Sequence, residues 1–306
     1  MENIVSFSLS EKNWEIQEND YVKHRQTDVL KEIAEQILRS EVIEGSEIDF
    51  HNFVVDLAKL HQYELACQVL DRGISIYSNS VDLLADYLIY GRDFEGARQQ
   101  SEKYYERLQT IPDRLWTWRG YEFSLEHLKS KRLRTNSRED ITKIEDDIEQ
   151  LIQAYYYKFP DEELPYLAEA NLYSGINPEK EWKIIKKALS RLGNCPRCTI
   201  RYAELLLYRS SDLKEYKRVV ENLQYEKLQS IGDLDYGFAQ FLRGLCLIRL
   251  LNRKTYKDRA KIEEIYKCFQ IAQKDDGLRV KGSDINVIKK QIRMLVALSD
   301  IEYREA

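Results

Sequence analysis

The chain has 306 residues, 43% hydrophobic and 32% charged, with a formal net charge of −5 and a mean hydropathy of −0.56. That length holds two compact domains or one elongated array, and 12 Gly with 5 Pro are too few for the tight turns of an all-β fold or for long disordered linkers. No run approaches the roughly 18–20 apolar residues that span a bilayer, and no phosphate loop, H-E-x-x-H pair or kinase-type signature occurs.

The segment Met1 to Phe7 lacks the basic start and apolar stretch of a secretory leader. Five cysteines, an odd number, fit free thiols in a reducing compartment, so a cytoplasmic location is expected. Charge is unevenly spread: residues 1–179 carry 20 Lys+Arg against 35 Asp+Glu, and residues 180–306 carry 27 against 17. An acidic front and basic back steer a charged partner to one end of an elongated body, support head-to-tail homo-oligomers, or are merely solvated faces.

In chain order, Val29, Ile33, Ile37 and Leu38 form an apolar stripe behind Thr27 as N-cap, so residues 1–46 read as an N-terminal segment with a capping helix. Paired helices of about 12–16 residues follow over residues 47–275. Tyr63, Ala66, Leu70 and Gly73 lie on one helix; Leu84, Ala85 and Leu88, then Gly91, Phe94 and Ala97, fit a helix-turn-helix. Trp116, Gly120 and Phe123 open the next pair, with Arg119 between them. An insert at residues 129–149 begins as a basic loop (Lys129, Lys131, Arg132, Arg134, Arg138) and turns into an acidic, overlong helix carrying Ile141, Ile144, Ile148, Leu151 and Ile152. Ala188, then Ala203 with Leu206, then Gly244 with Leu247 mark later units. A basic connection runs from Arg249 to Lys261, and residues 276–306 read as a C-terminal capping helix.

Small residues at Ala66, Ala85, Ala97, Gly120, Ala188, Ala203 and Gly244 let helix backbones approach, with large residues filling the adjacent gaps. The W-x3-G-x2-aromatic run and these spaced small residues resemble tetratricopeptide repeats, with Arg119 standing where that family has Leu. The resemblance implies an all-α fold: a right-handed α-solenoid of stacked antiparallel helix pairs whose first helices line a concave groove. Carried over by repeat position, the groove includes His51, Asp82, Asp86, Ile89, Tyr90, Thr117, Tyr121, Tyr166, Tyr173 and Glu204. The tyrosines serve either as binding anchors or as packing between helices, and Asp82 with Asp86 would meet basic side chains. The Lys/Arg–Asn pattern that clamps a C-terminal carboxylate in chaperone-binding repeats is missing.

The most motif-like tetrad is Cys195-Pro196-Arg197-Cys198, which reads as structural or as half of a metal or redox site. The nearest histidine, His127, lies 68 residues upstream, and no strand precedes the tetrad as a redox unit requires. Asp146-Asp147 lies on a polar helix face, and Asp161-Glu162-Glu163 opens a helix where acids favour the dipole. The sequence therefore points to no catalytic residue, no metal and no cofactor. The expected function is a non-enzymatic scaffold or adaptor holding a protein or peptide partner, without membrane contact. The alternative is an accessory subunit whose basic segment Arg253, Lys254, Lys257, Arg259 and Lys261 contacts nucleic acid.

Overall fold

Nearly every apolar stripe becomes a helix, and nearly every helix pairs with its neighbour through a short turn. The computed structural model describes residues 6–8, 20–193, 195–209, 212–224, 233–251 and 258–274, with 287, 289–291, 293 and 294. Contacts divide the chain into two units, Met1–Pro160 and Asp161–Ala306.

In the first unit, α1 (Asp20–Arg39) packs on α3 (Tyr63–Ile76). Three hairpins follow: α2 (Glu47–Lys59) with α3, α4 (Val81–Tyr90) with α5 (Arg98–Gln109), and α6 (Trp118–Arg134) with α7 (Arg138–Lys158). The leading helices α2, α4 and α6 touch in succession. The second unit, among its described residues, repeats the plan. It pairs α8 (Leu164–Tyr173) with α9 (Pro178–Arg191), α10 (Pro196–Arg209) with α11 (Leu213–Asn222), and α12 (Asp233–Leu250) with α13 (Arg259–Lys274). Helix α10 contacts both α8 and α12. The all-helical, stacked-hairpin fold expected from the sequence is the fold of each unit. Among the described residues no helix is long and apolar enough to cross a membrane.

Local chemistry sets the helix starts. Ser80, Thr117, Ser137 and Asn177 each accept a backbone N–H from the first turn of α4, α6, α7 and α9. At α2 the Asp49 carboxylate instead accepts from the backbone N–H and the hydroxyl of Ser46. Gly175 and Gly193, at φ 73° and 68°, take the left-handed turns after α8 and α9.

A step of 35 residues organises the packing of the first unit. It carries Phe50 to Ala85 to Gly120, all buried, and Gly120 gives Val81 of α4 its close approach to α6. A Cβ on Gly73 would stand 2.9 Å from the Phe50 ring and 3.3 Å from Leu83, which shows how three consecutive helices converge there. The small residues Ala66, Ala85, Ala97, Ala188 and Ala203 are all buried.

Three local readings need correction. Helix α1 starts at Asp20, so Thr27 lies inside it rather than capping it, and the buried face is Leu30, Ala34 and Ile37. Val29 and Leu38 are 43% and 37% exposed and Ile33 is half-buried, while Ile37 is buried as expected. The basic half of the insert is no loop either, since α6 continues through Arg134 and only residues 135–137 separate it from α7. Lys and Arg are good helix formers and suit a helix C-terminus, where the dipole favours cations. Unforeseen was a two-stranded parallel sheet, β1 (Ser6–Ser8) with β2 (Val42–Glu44), pairing Ser6 with Val42 and Ser8 with Glu44. The Arg72 guanidinium fastens the chain leading into β2 by donating to the Ser40 and Glu41 carbonyls at 2.8 and 3.0 Å.

Gly120→Ala tests the close approach. Its Cβ would stand 2.7 Å from Val81 Cγ1. Overpacking costs about 1–3 kcal/mol, against a helix-propensity gain of up to about 1 kcal/mol. The expected result is a net loss of up to about 2 kcal/mol in urea denaturation, partly restored when Val81→Ala is added.

Candidate functional site

Asp82, Asp86 and Tyr90 stand four residues apart on α4 and so form one stripe along it. Each is engaged differently. Asp82, half-buried, accepts from Thr117 Oγ1 at 2.6 Å. Asp86 is fully buried, and its Oδ2 lies 2.6 Å from His51 Nδ1. On the other side of the ring, Arg119 Nη2 is 2.7 Å from His51 Nε2. A guanidinium only donates. Nε2 must therefore accept, leaving Nδ1 protonated and donating to Asp86.

Burial pushes the Asp86 carboxyl above the usual range, opposed by the His51 hydrogen bond and the Arg119 charge. Its second oxygen, Oδ1, has no hydrogen-bond partner. Half-buried Tyr90 has its hydroxyl pushed up to about 12, by burial first and then by Asp86. Trp118, in the first turn of α6, is 40% exposed, and the Arg119 guanidinium carbon lies 5.4 Å from its ring centroid.

This geometry revises the groove reading. Tyr121 is 2% exposed and stacks on Tyr155 at 4.8 Å, with Trp116 5.0 Å away, so it is a core residue and not an anchor. Asp86 is equally withdrawn and cannot meet a partner's cation. In the second unit Tyr166 is fully buried in α8. In each case the repeat position points to the open face, but the side chain turns toward the neighbouring helix.

Tyr173 and Glu204 are half-buried and already engaged. Lys180 Nζ donates to the Tyr173 hydroxyl at 2.7 Å and lies 4.0 Å from its ring centroid. Arg201 donates to Glu204 Oε2 at 2.6 Å and to Ser174 Oγ at 2.8 Å, and also pairs with the buried Glu181. In the basic segment, Arg253, Lys254 and Lys257 lie outside the described residues. Arg259 pairs with Glu263 at 2.9 Å, and Lys261 stands 3.4 Å from Asp258, both on the exposed surface.

Cys195 and Cys198 are free and buried at the start of α10. A hydrogen bond between the two thiols lowers the pKa of Cys195 and raises that of Cys198. The Cys198 backbone N–H donates to Glu163 Oε2 at 3.0 Å, so a carboxylate 35 residues earlier caps α10. Burial raises the Glu163 carboxyl, and the Cys198 N–H opposes that shift.

The sequence reading missed the His51–Asp86–Arg119 network. The 35-residue step from Phe50 to Ala85 to Gly120 also carries His51 to Asp86, and was a signal that the two share one repeat position.

No known protein-family profile matches the chain, and no curated protein is recognisably similar in sequence. Among solved structures the chain is similar to a thermophilic tetratricopeptide-repeat protein from Thermus thermophilus, with 18% identity, a TM-score of 0.44, and coverage of 68% of this chain and 100% of that one.

The network predicts an order of stability losses. Asp86→Ala strands the His51 Nδ1–H in a buried site and should cost about 1–3 kcal/mol. Asp82→Ala releases a Thr117 hydroxyl that water can reach, and should cost less than about 1 kcal/mol. Urea midpoints of the two variants check the ranking; equal midpoints would refute it.

Proposed function

We propose that the chain acts by binding a protein partner, and that the open part of the α4–α6 face in the first unit carries the contact. The supporting observation is an exposed Trp118 with Arg119 against its ring, set beside Tyr90 and Asp82. Trp, Tyr and Arg are the residue types that dominate binding hot spots, because they bring large area at small entropic cost. Beneath them, the Asp86–His51–Arg119 network fixes the Arg119 head and so lowers the ordering cost of association. Asp82 adds a carboxylate for a cationic group on the partner, although it shares its charge with the Thr117 hydroxyl.

On this reading the chain is a non-enzymatic adaptor. The five free, buried thiols support a reducing, cytoplasmic setting. A peptide or helix suits a face of two adjacent helices better than a flat surface would.

The test uses surface positions, since Asp86 and Tyr121 belong to the core. The partner is co-purified with the tagged protein, identified, and its affinity remeasured with purified components. Trp118→Ala combined with Tyr90→Ala should weaken binding at least about tenfold, the loss of one modest hot spot, with helicity unchanged by circular dichroism. Unaltered affinity in a folded double variant would remove this face from consideration.

A further inference from the structure

On another part of the first unit, between the start of α5 and the end of α6, lies a cavity of about 310 Å³. Four cations line it: Arg92 from the turn after α4, Arg98 from α5, and Lys131 and Arg134 from α6. Glu102 is the only carboxylate among the described lining residues.

The charges do not cancel. Lys131 Nζ donates to Glu102 Oε2 at 2.6 Å, and His127 Nε2 stands 3.4 Å from Oε1. His127 first, then Lys131, hold the Glu102 carboxyl at about 2 against the opposing effect of burial. Lys131 and Glu102 thus neutralise each other, and Arg98 and Arg134 carry the remaining positive charge of the described lining. Arg98 approaches Glu95 only to 3.5 Å, well beyond the roughly 2.7–2.9 Å of a charge-assisted hydrogen bond. Arg134 donates through Nε to the Ser130 carbonyl at 3.0 Å, and no carboxylate pairs with it among the described residues. Arg92, which stands 3.7 Å from Glu126, adds a third guanidinium at the rim.

Further donors border the same space. Ser101 is 4% exposed, lines the cavity, and its Oγ has no hydrogen-bond partner. His127, 6% exposed, also lines it, and its Nε2 makes no contact closer than the 3.4 Å approach to Glu102. A buried polar atom left this way is costly unless something fills the space beside it. Arg98, Gln99, Ser101 and Glu102 of α5 line the cavity, and α5 continues directly from a 3-10 turn, Glu95–Ala97. At the end of α6, Ser130 O accepts from Arg134 Nε, and Lys131 O from Thr135 Oγ1 at 2.8 Å.

We propose that this cavity binds the phosphate group of a phosphorylated small molecule. A phosphomonoester carries close to two negative charges and three acceptor oxygens, enough to engage guanidinium forks arriving from several directions together with the Ser101 hydroxyl. A monocarboxylate would satisfy one fork and leave the others. The volume lies at the lower end of small-ligand pockets, which fits a phosphate with a compact body.

Calorimetric titration of the full chain with inorganic phosphate, a hexose 6-phosphate and a phosphoserine peptide tests this. The hexose phosphate should bind with a Kd of about 0.1–1 mM. Arg98→Gln with Arg134→Gln, both at exposed positions, should weaken it about tenfold while helicity and Tm are retained. Ser101→Ala should weaken it about tenfold, the loss of one hydrogen bond to a charged group. Glu102→Gln should act oppositely and tighten binding severalfold, because it removes the opposing carboxylate and releases Lys131; a purely structural role for these residues gives no such gain. Binding that is absent up to about 10 mM of every probe, or unchanged in the double arginine variant, overturns the proposal. A phosphoserine peptide that binds about tenfold tighter than the hexose phosphate overturns the small-molecule source and assigns the phosphate to a protein.

Discussion

Each hairpin of this chain has two apolar faces and can cover only one of them with its own partner helix. The other must be buried by the next hairpin, and that requires backbones to come close where the helices cross. In the first unit one repeat position, buried throughout, runs from Phe50 to Ala85 to Gly120. The Phe50 ring fills the space that Gly73 leaves, and Val81 fills the space that Gly120 leaves. Position along the chain, helix phase and the identity of the exposed face all follow from keeping that step near 35 residues.

Polar groups then serve as register marks. His51 bonds Asp86, Thr117 bonds Asp82, and the Cys198 N–H bonds Glu163, each across 35 residues, while Tyr104 donates to Asp71 across 33. Such bonds add little net stability, since desolvating the groups offsets most of the attraction. What they add is discrimination. A hairpin displaced along its neighbour would leave Asp86 and Glu163 buried beside the wrong groups, at a cost larger than any single correct bond returns. We read their role as specifying which residue faces which, with the apolar contacts supplying the driving force.

That division explains what could be read from the sequence. Small residues recur at positions that only a close crossing requires, so Ala66, Ala85, Gly120, Ala188 and Ala203 announced the hairpins. Helix phase at the chain's front did not: Val29 and Leu38 are as apolar as Leu30 and Ile37, and only contact with α3 decides which pair is covered. The basic run from Lys129 to Arg134 looked like a loop because charge suggests exposure alone. It is the half-buried end of a helix. Tyr121 and Tyr166 were misplaced for a related reason, because a tyrosine suits both an open groove and a packed interior. Pairings such as His51 with Asp86 were written in the sequence as a repeat distance, yet their partner choice depends on three helices meeting.

Net charge proves to be the least transferable of the sequence features. The first unit carries 20 Lys+Arg against 30 Asp+Glu, which on its face argues against an affinity for anions. Yet at physiological ionic strength exposed charges are screened over about 8 Å. A carboxylate at the far end of a helix of roughly 15–20 Å is therefore nearly silent, while cations lining one cavity act at full strength on each other and on whatever enters. Crowding Arg98 and Arg134 beside Lys131 costs stability through mutual repulsion. Close local pairing removes that repulsion elsewhere in the unit, as Arg132 with Glu145 at 2.6 Å shows. Here Glu95 stays too far from Arg98 for such pairing, and Glu102 is taken by Lys131. The local arrangement, rather than the total, decides the sign of the potential that a ligand meets.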